Sequence, residues 1–356
     1  MKTKSLVVIL CFYCLLCENS FSQNILSMFN PDTTKGKKDK EYKVHISGVL
    51  QMHYMAEFNT NGDSLRDTDG FRILRARLIA KGKINKFISY KMMIDPRAPE
   101  QGGILRDAYI EFQLCKSQSL RVGQQKTQFG YDNNESITKE YFVNRAEVSD
   151  NLSRGFNLRD IGFGLLGHIK IKKNLRFENA ITFTNGSKMN VAGPFDFSNT
   201  KNAFGRIGIR YKKGENMFRF GISAGTGGMM DYGDDPISPA DDFFIKFKRL
   251  GTDLEVDNKW VFLATEYVIG TDKIHDTIDD RVGYYITLAG KTKWKVGPLL
   301  RYDVLDDDFI RPVIGAYYGL PNDKFRILLN YEMRGSIKDV PNGHDDRLYV
   351  QMQLCF

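Results

Sequence analysis

The sequence predicts an all-β chain closed into a transmembrane antiparallel β-barrel of about sixteen strands, with short periplasmic turns and long outer loops. Three observations carry that expectation. Apolar and polar residues alternate with period two along almost every segment. Short connections alternate with long ones. The last strand ends on an aromatic residue, Phe356, with apolar partners at every second position before it.

The clearest alternation lies in 71–95. Leu74, Ala76, Leu78, Ala80, Gly82 and Ile84 share one face, and Arg75, Arg77, Ile79, Lys81 and Lys83 the other. Successive strand side chains point to opposite faces, so one face is oily and the other basic. Past Asn85-Lys86, Ile88, Tyr90, Met92 and Ile94 alternate with Phe87, Ser89, Lys91 and Met93, which completes a hairpin. A soluble sandwich seldom repeats this in every strand. A membrane barrel does, turning the apolar side to lipid and the charged side to a wet lumen.

The chain of 356 residues carries a formal charge of +8. It opens with Lys2 and Lys4, an apolar stretch over 6–16 and Ser20-Phe21-Ser22, the pattern of a secretory signal peptide spanning 1–22. Cys11, Cys14 and Cys17 fall in that leader, so their spacing cannot serve a metal in the mature chain; Cys115 and Cys355 set no disulfide framework. Residues 23–41 read as a flexible periplasmic tail, and 42–356 as the barrel. Beyond the leader, no segment approaches the roughly 20 apolar residues of a membrane-spanning helix.

Strands are expected at 44–58, within 71–95 (two), and at 104–114, 119–126, 161–171, 174–184, 203–213, 216–225, 243–256, 260–269, 281–291, 294–304, 310–319, 324–333 and 347–356. Long connections are expected at 59–70, 96–103, 127–160, 185–202, 226–242, 270–280, 305–309 and 334–346, each separated from the next by a short turn. An even strand count returns both ends to the periplasm, as secretion from that side requires.

Several fragments, in order, resemble the phosphate-selective porin O and P family in a form similar to that of Bacteroidetes. They are FRILRARLIAKGKI with SYKMMID, DAYIEFQL followed by LRVGQQKTQFG, RDIGFGLLG, AITFTNG, LLRYDVLDDD and the aromatic end. The resemblance implies a sixteen-stranded homotrimeric barrel whose basic lumen passes anions, with phosphate or pyrophosphate as substrates of some members. It also implies the outer membrane of a Gram-negative bacterium, with outer-membrane lipid and lipopolysaccharide, small anions and the barrel-insertion machinery, met through Phe356, as partners. No cofactor and no nucleic-acid partner is expected.

With the oily face toward lipid, alternation sends Arg75, Arg77, Lys81, Lys83, Lys91, Arg206, Arg210, Arg219 and Arg301 into the lumen, and Lys246 and Lys248 as well. A narrow low-dielectric pore focuses such an excess and concentrates anions. The competing reading is that these bases pair with acids on neighbouring strands. The third outer loop, 127–160, is expected to fold inward as the constriction. It brings a short helix at 137–148 together with Lys126, Arg145 and Arg159. Its Ile137, Tyr141, Phe142, Val148 and Leu152 favour packing against something.

The other outer loops are acidic, and Asp231, Asp234 and Asp235 are candidates for Ca²⁺, although no EF-hand spacing appears. His275-Asp276 and His344-Asp345 fall on outer loops, but adjacency in sequence does not make a catalytic dyad, and no catalytic residue is expected. The reading is therefore passive diffusion of small anions. The alternative is a barrel for adhesion or assembly whose pore the third loop plugs.

Overall fold

Alternation, rather than any long apolar run, builds the molecule. The computed structural model describes residues 44–58, 68–97, 104–152, 159–186, 201–232, 242–306, 309–321, 323–335 and 346–356, with backbone alone at 229–232 and 242–243. The expected leader and tail lie outside the described residues, as do Asp234, Asp235 and His344-Asp345.

The strands are β1 (His45–Phe58), β2 (Thr68–Lys83), β3 (Ile88–Ile94), β4 (Leu105–Cys115), β5 (Gln118–Lys126), β6 (Arg159–Lys172), β7 (Leu175–Thr184) and β8 (Asn202–Lys213). They continue as β9 (Asn216–Tyr232), β10 (Asp242–Asp257), β11 (Val261–Ile274), β12 (Thr277–Gly290), β13 (Val296–Leu305), β14 (Phe309–Tyr318), β15 (Phe325–Glu332) and β16 (Asp346–Cys355). Each pairs antiparallel with its sequence neighbours, and β16 returns to β1, so the sheet is a closed barrel of sixteen strands. Closure leaves no strand edge unpaired, which is what lipid demands of a spanning sheet.

The last residue helps to seal the closure. Phe356 exchanges backbone hydrogen bonds with Gly48 at 2.7 and 3.1 Å. Its ring lies where a Cβ on Gly48 would come within 2.3 Å, so only glycine admits it. Neither Cys115 nor Cys355 is in a disulfide among the described residues.

Four local features depart from the sequence expectation. The connection 270–280 is not a long loop. β11 and β12 run on to a two-residue turn at His275-Asp276, with His275 at φ 52°. Asp272 causes this: it turns inward and is buried by Arg249 at 2.7 Å and Arg281 at 3.4 Å, so the acidic stretch is strand.

The second is a register slip on β2. Gln51 faces Arg75, but Met52 faces Ile73, which leaves Leu74 as the extra residue of a β-bulge. Leu74 therefore packs against an interior cluster instead of lipid, and Phe71 and Ile73 take the outer face. The third is a slip on β4, where Met93 faces Asp107 and Ile94 faces Leu105, so that Arg106 is extra and buried. The fourth concerns β10. Its buried residues are the odd-numbered ones, Ile245, Phe247 and Arg249, so Lys246 and Lys248 stand on the outer surface rather than in the lumen.

Candidate functional site

The interior is organised by the connection between β5 and β6, which enters the barrel and binds the far wall. Its apolar residues form two clusters. Phe129, Tyr131, Ala146, Val148 and Leu152 pack on Phe204, Phe247, Val268 and Tyr285. Tyr141, Phe142 and Val143 pack on Leu299, Val313, Tyr317, Leu328 and Tyr349. Burying one large apolar side chain contributes about 1.5–3 kcal/mol, so these contacts suffice to hold the segment in place.

Polar groups of the wall complete the attachment. Glu266 on β11 accepts from Tyr131 N at 2.7 Å, Asp132 N at 3.1 Å, Tyr285 Oη at 3.1 Å and Ser149 Oγ at 3.3 Å. Arg326 donates to the carbonyls of Thr138 and Glu140 at 2.8 and 2.9 Å, Asn330 accepts from Val143 N at 2.8 Å, and Arg301 donates to the Asn144 carbonyl at 2.8 Å. These bonds explain why the helix expected at 137–148 is absent. Backbone groups that a helix would pair internally are taken by the wall. The helix that does form, α1 (Glu147–Asn151), is a short turn further on, with Glu147 N donating to Asp303 at 2.8 Å.

Charge is distributed unequally around the barrel. From β8 to β14 most inward arginines meet carboxylates: Arg206–Asp253 at 2.5 Å, Arg219–Glu178 at 2.9 Å, Arg249–Asp272 at 2.7 Å and Arg311–Asp303 at 2.6 Å; Arg301 instead donates to Thr287 Oγ1 and the Asn144 carbonyl. From β2 to β6 the acids are fewer. Arg77 meets Asp95 at 2.9 Å, Arg121 meets Glu111 at 2.6 Å, and Asp107 serves both Arg159, at 2.5 Å, and Lys91. Arg72, Arg75, Lys81 and Arg106 have no carboxylate partner among the described residues; Arg75 donates to Gln51 at 2.7 Å. Nε and Nη1 of Arg106 are buried without a hydrogen-bond partner among the described residues.

Two cavities run along this under-neutralised wall, opposite the inner loop. The one toward the short turns holds about 600 Å³ and is lined by Arg77, Lys81, Lys91, Arg121, Lys126, Arg145 and Arg159, with Asp107 the only acid among the described residues that line it. The one toward the long loops holds about 410 Å³ and is lined by His53, Arg72, Arg75, Arg77, Arg97, Arg106, Arg145 and Arg347, with Asp95 and Asp150. Arg77, Ile137 and Arg145 line both, and so mark where the two meet. Burial works against the charge of Arg145, but Glu140 and Asp132 beside it hold its guanidinium above its ordinary pKa.

The sequence expectations divide accordingly. Arg75, Arg77, Lys81, Lys91, Lys126, Arg145 and Arg159 are brought together along the two cavities. Lys83 is exposed near the first short turn and lines neither. Arg206, Arg210 and Arg219 lie apart in a cavity of about 240 Å³, all turned to Glu178. Arg301 stacks on Phe142, 4.1 Å from the ring centre, and anchors the loop. Asp231 is described by its backbone alone, and no metal-holding group of three or more His, Cys, Asp or Glu occurs among the described residues.

Sequence reasoning missed Arg72 and Arg106. Both are put in the lumen by β-bulges that shift the alternation. The signals were present: Phe71 and Ile73 are apolar out of phase with Leu78 and Ala80, and Arg106 is a charge among apolar positions of its strand.

The family model for phosphate-selective porin O and P matches residues 46–235, more than half of the chain. No curated protein matches. Among solved structures, OmpT of Vibrio cholerae in its trimer form is 10% identical, with 89% of this chain and 100% of that one covered and a TM-score of 0.60. OmpF of Salmonella typhi in complex with daunomycin is 14% identical over 90% and 99% of the two chains, at a TM-score of 0.59. An anion-selective porin from Comamonas acidovorans is 10% identical over 89% and 100%, at 0.57. At such identities the likeness is one of fold. The closed barrel with its polar interior and the family match together make this chain a member of the phosphate-selective porin O and P family, a channel of the Gram-negative outer membrane.

Proposed function

We propose that the chain gives small anions a passive route along the seam between β1–β6 and the inner loop. The observation that carries this is the set of inward cations without a carboxylate partner among the described residues, Lys81 lining the first cavity and Arg72, Arg75 and Arg106 the second. Low-dielectric walls focus an uncompensated charge and raise the local concentration of the opposite ion. Across the barrel most arginines meet carboxylates, and Arg301 and Arg326 donate to carbonyls of the inner loop, so that half contributes cohesion more than field. Phosphate is a substrate consistent with the family description, and pyrophosphate is one that the resemblance implies.

On this reading 1–22 is a signal peptide, 23–41 a periplasmic tail and 42–356 the barrel, with 127–160 as the constriction loop. Three copies associate, as the Vibrio cholerae OmpT trimer form does. No residue is assigned a catalytic role: His275 lies in an exposed turn with no nucleophile assigned to it. The rival reading, a scaffold with a plugged pore, draws on the depth at which the inner loop is buried. The cavities on either side of Arg77 and Arg145 weigh against it. Planar bilayers decide between them. The proposed channel conducts in steps with a reversal potential of anion sign in a KCl gradient; an inserted but silent barrel would favour the scaffold.

A further inference from the structure

The outer surface of β10, β11 and β12 carries a feature that the pore does not use. Lys246 and Lys248 on β10 and Lys273 on β11 stand exposed on the outside of the barrel, at the end of the sheet away from the short turns. Lys246 lies directly opposite Lys273 in the ladder, a like-charge pairing that costs stability unless something neutralises it. No ion pair forms at any of the three among the described residues, and the outward acid described nearby, Asp280, lies opposite Thr271.

Beneath these lysines runs a groove of about 540 Å³ on the same surface, floored by Leu250, Tyr267, Ile269 and Val282, with Lys248 and Asp280 at its upper rim. Tyr267 faces Tyr284 across β11–β12, and Tyr302 lies 6.4 Å from Tyr284, so tyrosines mark the membrane boundary here. Thr252 is the ladder partner of Tyr267, which places Lys248 and Lys246 some four and six residues further along the tilted strand. At about 3.3 Å per residue and a tilt near 40°, the ammonium groups originate roughly 10–15 Å above the tyrosines. A phospholipid phosphate sits closer to the acyl boundary than that. A phosphate on a saccharide head reaches it.

We propose that this face holds one outer-leaflet glycolipid of the phosphorylated acyl-saccharide class. Its phosphate lies between Lys246, Lys248 and Lys273, and one acyl chain lies in the groove over Leu250 and Ile269. Charge complementarity and height select this occupant; a second copy seated on the same face is an outcome of the test. The proposal needs only the barrel's place in the outer membrane and not its ion preference.

The test uses the full-length porin extracted in mild detergent. Native mass spectrometry and binding titrations with purified diphosphoryl lipid A compare the wild type with the K246Q/K248Q/K273Q variant. Anionic attraction of about one lysine each makes the expected loss of affinity on the order of a hundredfold. Dephosphorylated lipid A should bind the wild type as weakly as phosphorylated lipid A binds the variant. Single-channel conductance and reversal potential should be unchanged, since the three lysines face outward; that readout also certifies folding. Equal binding by the variant, equal binding of dephosphorylated lipid, or full competition by phosphatidylglycerol would each overturn the proposal. So would cross-links placing another subunit on Lys248.

Discussion

Glu266→Gln is the sharpest perturbation of the inner loop. The wild-type carboxylate accepts four hydrogen bonds. Tyr131 N donates to Oε1, and Asp132 N, Ser149 Oγ and Tyr285 Oη donate to Oε2. Glutamine keeps the shape but replaces one acceptor by an NH₂. The two hydroxyls can rotate to accept from it, whereas a backbone N–H cannot. Whichever way the amide is turned, the N–H of Tyr131 or of Asp132 faces another donor. Leaving a buried donor without an acceptor costs about 1–3 kcal/mol, so local release of the loop should become roughly 5- to 150-fold more frequent. The strand ladder does not depend on Glu266, and the barrel's melting temperature should barely move. Hydrogen exchange at the amides of 130–132 measures the release, and open-channel current noise should rise with it. Exchange within about twofold of the wild type, in a variant that folds normally, would refute the view that this carboxylate latches the loop.

Two further substitutions test the barrel itself. Leu74→Gln should insert and fold with near-normal yield, because the bulge turns Leu74 inward, whereas Leu78→Arg on the lipid face should cost about 2–4 kcal/mol near the midplane and impair insertion; refolding yields into vesicles compare the two. Gly48→Ala should slow closure of β1 on β16, since the new methyl collides with the Phe356 ring, and a folded-band shift on unboiled gels reads the loss. If Gly48→Ala folds at the wild-type rate, the packing of the last residue is incidental to closure.

The fold was legible because lipid and lumen impose opposite solvents on alternate residues, and that pattern survives in strands such as β1 and β16 without any partner being known. What alternation cannot carry across is a single extra residue. At Leu74 and Arg106 one inserted position exchanges the two faces, which hid Arg72 and Arg106 from view and misplaced Leu74. The inner loop was legible as an apolar segment seeking a surface, but its conformation was not. Arg301, Arg326 and Asn330, distant in sequence, decide which of its backbone groups are free to pair. The acidic stretch around Asp272 read as loop because its two arginine partners lie on the flanking strands β10 and β12, and only the register of those pairings brings them beside it.

The most direct measurement of the central claim is the reversal potential of Arg72→Glu/Lys81→Glu in a KCl gradient. These two cations line the two cavities and have no carboxylate partner among the described residues, so reversing them changes the field at both ends of the route and breaks no ion pair. Arg77 is unsuited to the purpose, because a glutamate there would face Asp95, now 2.9 Å from its guanidinium. The variant should insert normally and shift its preference toward cations, and the shift should shrink at 1 M salt, where the Debye length falls to about 3 Å. Normal insertion with an unaltered reversal potential would place the conducting route away from the β1–β6 wall and contradict the account.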